Sequence, residues 1–326
     1  MNLNLTKITF MIMLMFSTMI TISSSNWLSM WMSLELNLFS FIPILNFKMS
    51  IYSIESSMKY FLIQTFASIL LLMFLINKSM FFMINNNFLL ILPLLMKLSL
   101  MPFHLWLPSM IEGLNWFSCF IMMTWQKISP LIMISYLNEN KNLIFLIIMI
   151  FMNSIFGINQ NSIRKILAIS SINNSTWMLF AILMNEMIWL NYFLIYSILN
   201  LFMINIFYKY KINYINQLKF FNINFLFKLN LLMLILSNMG LPPMLGFLMK
   251  WMLIKTLLFH KMYLIMLMLI ISTIMNLLMY IKIMYFLLFN FNILNKWFLQ
   301  KKKNFNFNLL MMINFFSLFF NYFFLY

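Results

Sequence analysis

The stretch Ser237-Asn238-Met239-Gly240-Leu241-Pro242-Pro243-Met244-Leu245-Gly246-Phe247-Leu248-Met249-Lys250-Trp251 is apolar at both ends and cannot be a continuous helix in the middle. Each proline removes an N–H donor and clashes with the preceding turn. An apolar segment stopped halfway, with a lysine just beyond the stop, reads as a discontinuous membrane-spanning helix. Such backbone is tolerated at membrane depth only where protein or water covers it.

A second stretch has the same ingredients in another order. In Leu95-Met96-Lys97-Leu98-Ser99-Leu100-Met101-Pro102-Phe103-His104-Leu105-Trp106-Leu107-Pro108 the lysine precedes the break, and Pro102 is expected to free a carbonyl one turn earlier, close to Lys97. Broken helices paired between two halves mark inverted-repeat transporters. The two segments run in opposite directions, with the lysine before the break in one and after it in the other, as an inverted repeat requires.

Around these segments the chain is 64% hydrophobic and 8% charged, against roughly a quarter charged in a soluble domain. Apolar runs recur along its 326 residues, each long enough for a hydrocarbon core of about 30 Å. They divide the chain into about eleven segments, near residues 3–23, 27–46, 53–76, 81–108, 113–137, 143–159, 163–184, 187–208, 225–259, 262–289 and 306–325. Runs such as Leu143 to Met152 are apolar all round, whereas a barrel strand alternates. The expected fold is an all-α polytopic membrane protein, with repeats over about 1–137 and 143–289 and a C-terminal helix over 306–325.

The net charge of +16 is one-sided rather than general. Those segments put Lys48, Arg164, Lys165, Lys209, Lys211, Lys219, Lys228, Lys296, Lys301, Lys302 and Lys303 on one side, and only Lys78, Lys141 and Lys261 on the other. This is the positive-inside pattern, and it argues against nucleic acid as the partner. The N-terminus is expected on the basic side and the C-terminus opposite.

The chain has no valine or aspartate, one arginine, and an excess of Asn, Lys, Ile, Met, Phe and Tyr, which matches A/T-rich codons. Its 37 methionines read as core filler. The N-terminus shows neither a transit segment nor a cleavage site, so the first apolar segment is expected to remain as a helix, in a protein made in the organelle where it works. Cys119, His104 and His260 cannot assemble a metal or iron–sulfur centre, and four glycines form no nucleotide-binding loop. No cofactor is expected on this chain.

What remains is charge at depth: Glu35, Lys59, Lys97, Lys127 and Lys250, each with apolar neighbours on both sides. A charge at the bilayer centre costs roughly 2.5 to 3.5 kcal/mol on insertion scales. An amine buried without an anion holds its proton weakly, and an approaching carboxylate holds it on, so a lysine whose partner moves acts as a proton switch. Glu35 is the available counter-ion; Glu55, Glu112, Glu139 and Glu186 read as loop or helix-end carboxylates.

The motifs Trp31-Met32-Ser33-Leu34-Glu35-Leu36-Asn37, Glu55 with Met58-Lys59-Tyr60-Phe61, Pro102-Phe103-His104-Leu105-Trp106, Thr124-Trp125-Gln126-Lys127-Ile128, and Gly240-Leu241-Pro242-Pro243 to Lys250-Trp251 occur in order over nearly the whole chain. In these the sequence resembles the NADH-ubiquinone oxidoreductase chain 2 family, in its animal and particularly insect mitochondrial form. The resemblance implies an antiporter-like subunit in the membrane arm of respiratory complex I, in the mitochondrial inner membrane, with its N-terminus in the matrix and its C-terminus in the intermembrane space. It implies that other subunits hold NAD, FMN, iron–sulfur clusters and ubiquinone, and that partners are membrane-arm subunits and lipids such as cardiolipin. By resemblance Glu35 and Lys59 form a charged pair, Lys97 switches on a broken helix, Lys127 relays, and Lys250 leads to the exit. His104 stays open between a packed or capping histidine and a member of the path. A cation/proton antiporter and a purely structural bundle remain the alternative functions.

Overall fold

The structure is a computed structural model that describes residues 5–47, 50–80, 87–137, 157, 159–184, 186–220, 225–242 and 244–288. Its helices are α1 (Leu5–Ser23), α2 (Trp27–Leu45), α3 (Ile51–Met80), α4 (Asn87–Lys97), α5 (Trp106–Ile111), α6 (Trp116–Met123), α7 (Trp125–Ser135), α8 (Ile163–Met184), α9 (Glu186–Tyr210), α10 (Phe225–Met239), α11 (Leu245–Phe259) and α12 (Tyr263–Leu288), with a 3-10 turn over Ile215–Phe220. Among the described residues, 7 spans are long and apolar enough to cross a membrane: Leu5–Ser23, Trp27–Leu45, Ile51–Lys78, Trp116–Ser135, Ile163–Met184, Met187–Tyr210 and Tyr263–Leu288. The expected fourth and ninth segments are both present and both broken, as α4 with α5 and as α10 with α11. The expected 306–325 helix, nearly all of 143–159, and Pro243 lie outside the described residues.

Helix α8 is the axis of the bundle. Of its most apolar window 89% is buried, against 22% for α1 and 28% for α3, and it packs against α5, α6, α7, α9, α11 and α12. The peripheral helices turn apolar stripes outward: Leu62, Phe66, Ile69 and Met73 on α3, and Ile12, Phe16 and Met19 on α1, are exposed at helical spacing. Such stripes suit lipid tails. The hydroxyls of the central helix are satisfied within it, Ser170 donating to Leu167, Ser171 to Ala168, Ser175 to Ile172 and Thr176 to Asn173. These four hydroxyls are therefore buried there without an unpaired donor.

Both expected breaks are built in one way. At the end of α10, Gly240 takes φ +77°. Its N–H bonds the Ser237 carbonyl and the N–H of Leu241 bonds that of Leu236, which is a Schellman cap. At the end of α4, Ser99 takes φ 58°, with Ser99 bonded to Met96 and Leu100 to Leu95. The first break thus begins at Ser99, three residues before Pro102, which lies in the following loop rather than inside a helix. Lys211 and Lys261 close α9 and α11 with the same pair of bonds, at φ 55° and 58°.

One end of the bundle is tied by Arg164, the only arginine of the chain. Its guanidinium donates to the Glu112 carbonyl at 2.9 Å and to Asn213 Oδ1 at 2.8 Å, and lies over the Trp116 ring at 5.0 Å. Lys165 pairs with the Glu112 carboxylate at 2.7 Å. Ile163 N–H bonds the Asn213 carbonyl, and Ile215 N–H that of Asn161. Three loops that the charge pattern assigns to a single side are therefore joined at one end, and Glu112, read as a loop carboxylate, anchors them.

Arg164→Lys keeps the charge but loses the fork. It is expected to lower stability by about 1 kcal/mol and to speed amide exchange at Ile163 and Ile215. Unchanged melting and exchange would show that the fork is dispensable.

Candidate functional site

Lys97 closes α4, where the free carbonyls of a helix C-terminus favour a cation. It lines a cavity of about 20 Å³ with Leu34, Asn37, Leu38, Tyr60, Gln64 and Gln126 among its walls. By that measure the space admits a water molecule. Glu35 on α2 acts electrostatically on both Lys97 and Tyr60, and its Oε1 is buried without a hydrogen-bond partner. A polar chain crosses the same walls: Tyr60 Oη donates to Gln126 Oε1 (3.4 Å), Gln126 Nε2 to Asn37 Oδ1 (3.0 Å), and Asn37 Nδ2 to Ser129 Oγ (3.3 Å). Gln64 Nε2 reaches the Lys97 carbonyl at 3.5 Å.

Lys127 follows Gln126 on α7 and turns to another side of the helix. It is buried, its Nζ donates to the Ser171 carbonyl of α8 at 2.5 Å, and it lies 5.6 Å from the centre of the Tyr196 ring of α9. The helix is interrupted just before it, at Thr124, which has φ −117° and ψ −76°. The sequence reading expected an unbroken segment here. Nearby, Asn173 bonds Asn276 across α8 and α12, and Tyr192 Oη donates to Asn174 Oδ1 at 2.9 Å.

Lys250 is buried on α11 and reaches back over the second break, where its Nζ donates to the Met239 carbonyl at 2.7 Å. Gly240 makes this possible: a Cβ there would lie 2.6 Å from Nζ. Gly246 allows the two half-helices to meet, since its Cβ would fall 1.6 Å from the Ser237 carbonyl oxygen. Pro242 lies in the turn between them.

The structure thus puts Lys97 in the wall of the cavity, with Glu35 next to the lining residue Leu34 on α2, and places Lys127 against α8 and α9 and Lys250 over the break after α10. It does not bring Lys59 to Glu35. Lys59 forms an ion pair with Glu55, one turn earlier on α3, and the two side chains are 42% and 56% exposed, because residues four apart are neighbours on a helix. His104 is buried in the loop joining α4 to α5. Sequence reasoning did not single out Asn37, Gln64, Gln126, Ser129 or Tyr196. The available signal was amides and a phenol inside apolar spans, with Tyr60 and Gln64 four apart on one helix face.

The model of the NADH:quinone oxidoreductase/Mrp antiporter transmembrane family matches residues 24–276. The NADH-ubiquinone oxidoreductase chain 2 of Anopheles gambiae is 44% identical over 309 residues, 91% of this chain and 89% of that one. The protein of the same name from Aedes aegypti is 44% identical over 322 residues, covering 95% and 94%. Among solved structures, respiratory complex I from Thermus thermophilus with bound aureothin contains a chain with TM-score 0.77 at 18% identity, covering 87% of this chain and 71% of that one. The Mrp complex from Dietzia sp. gives TM-score 0.73 at 17% identity, covering 84% and 59%. These structural likenesses establish an antiporter-like fold.

Gly240→Ala places a Cβ against the Lys250 ammonium and forces a left-handed conformation on alanine, a strain of about 1–2 kcal/mol. A lower melting temperature and a Lys250 displaced from the Met239 carbonyl are expected. A variant structure with that hydrogen bond intact would contradict the role given to Gly240.

Proposed function

The chain belongs to the NADH-ubiquinone oxidoreductase chain 2 family, and on that premise we propose that Glu35 and the buried Lys97, Lys127 and Lys250 form a row that carries protons across the membrane. It is an antiporter-like subunit of the membrane arm of respiratory complex I. The observation that carries the proton reading is that three buried lysines on three helices each sit at a helix interruption: Lys97 at the end of α4, Lys127 beside Thr124, and Lys250 opposite Gly240. Structural lysines would snorkel to an interface. These are held at depth, each where the main chain can change its hydrogen bonds.

The chemistry is proton holding and release. While Glu35 is ionised, its field keeps the Lys97 proton in place. When that carboxylate is neutralised or withdrawn, Lys97 can give its proton to water in the adjoining cavity. Lys127 and Lys250 then act in turn on the second half of the bundle. Lys59 stays at the rim of the path, with Glu55 rather than Glu35 as its partner. His104, in the loop after Lys97, keeps either role, as packing or as a path member.

Residues 1–137 and 143–289 are the two halves of an inverted repeat, a division supported by the matching Schellman breaks with a lysine before one and after the other. The N-terminus lies in the matrix and the C-terminus in the intermembrane space, as the basic loops and their common end at Arg164 favour. Redox chemistry with NAD, FMN, iron–sulfur clusters and ubiquinone takes place in other subunits. The outward stripes of α1 and α3 meet lipids such as cardiolipin or neighbouring membrane-arm subunits. Exchange of another cation for protons is the second reading, favoured by the fold shared with the Mrp complex chain.

In the assembled complex, Lys97→Met is expected to abolish most proton-coupled turnover, read as protons moved per NADH oxidised in vesicles. Turnover and pumping equal to wild type would leave only a structural role. Glu35→Gln is expected to lower coupled turnover severalfold while assembly persists; full pumping stoichiometry in that variant would remove Glu35 from the path.

A further inference from the structure

The interruption at Thr124 has an unusual hydrogen-bond arrangement. In an unbroken helix the Lys127 N–H would bond the Met123 carbonyl, four residues earlier. Here it bonds Thr124 at 3.1 Å instead. The Met123 carbonyl accepts from the Tyr196 hydroxyl of α9, at 3.2 Å. The ring of the same tyrosine lies beneath the Lys127 ammonium, 5.6 Å from Nζ to its centre. Tyr196 is buried, and the side chains of Asn200 and Ser171 are close enough to its hydroxyl to interact with it.

One tyrosine therefore meets Lys127 twice, through the ring below its ammonium and through the carbonyl its own amide has given up. A buried carbonyl without a donor is costly, so the Met123 carbonyl must be held by one of two donors. With Tyr196 on it, the helix stays interrupted and Lys127 reaches Ser171. With the Lys127 amide on it, the ladder between α6 and α7 closes, and the lysine side chain turns with the backbone.

We propose that Tyr196 is a positioning residue for Lys127: by taking the Met123 carbonyl, its hydroxyl holds the interruption open and keeps the Lys127 ammonium on α8. The inference rests on the reading of Lys127 as a proton carrier. Its structural half does not, because the donor on the Met123 carbonyl can be read from the structure of a variant.

The test uses the assembled complex with Tyr196→Phe and Tyr196→Leu. Phenylalanine keeps the ring and the packing and removes only the hydroxyl. In a high-resolution structure of the Phe variant, the Lys127 amide is expected on the Met123 carbonyl, with the helix continuous through Thr124. The ratio of open to closed interruption is expected to shift roughly fivefold, the size set by one neutral hydrogen bond, and protons moved per NADH oxidised by assembled complexes to fall with it, further for Leu. A Phe variant with the interruption unchanged and wild-type stoichiometry would overturn the proposal, since the ring alone would then suffice. Lys127→Met separates the two ideas: if it pumps as wild type, the proton role of Lys127 fails, while the donor exchange at Met123 is still judged by the Phe structure.

Discussion

The ammonium groups of Lys127 and Lys250 rest on main-chain carbonyls, those of Ser171 and Met239, and much of the bundle serves to keep them there. An uncompensated cation in hydrocarbon is costly, and a permanent carboxylate partner would fix its proton. A carbonyl lies between these extremes, because it stabilises the charge by its dipole and takes no proton itself. The Met239 carbonyl is available because α10 stops there, so at Lys250 the need for a held but releasable proton and the need for a broken helix are one requirement, whereas the Ser171 carbonyl lies inside the continuous α8 and takes the Lys127 ammonium as an additional donor. Lys97, at the C-terminus of α4, meets the same field in its simplest form.

Much of this was legible in the sequence. Apolar length and charge sidedness gave the spans, and the Gly-Leu-Pro-Pro run marked the second break, which the structure opens at Gly240. The first break was located through Pro102, yet its stop is made by Ser99 in a left-handed conformation, which side-chain chemistry does not announce. The interruption at Thr124 was invisible, since Met122-Met123-Thr124-Trp125 contains no helix breaker; what holds it open comes from Tyr196, more than seventy residues away in sequence. The pairing of Lys59 was misassigned for a related reason. A resemblance aligned it with Glu35, while helical spacing within its own segment already offered Glu55. Asn37 and Gln126 stood inside quoted motifs, but no spacing in the sequence joins them into one row, since they lie on α2 and α7.

The left-handed caps show how far a restricted residue vocabulary can be stretched. Among the left-handed caps of the described residues, the one at Gly240 uses a glycine, where Lys250 leaves no room for a Cβ. The others described are Ser99, Lys211 and Lys261. Their strain of about 1–2 kcal/mol each is offset by the two hydrogen bonds that every such cap returns to the helix end.

Gln126 and Lys127 are consecutive on α7, yet they belong to different neighbourhoods. The amide of Gln126 is bonded to Asn37 and Tyr60 on the first helices, and the ammonium of Lys127 to Ser171 on the central one. Because they share a backbone, a change of pitch at Thr124 swings both side chains together. Helix α7 would then act as a crank, so that an event rearranging the amide row turns the lysine on the other side.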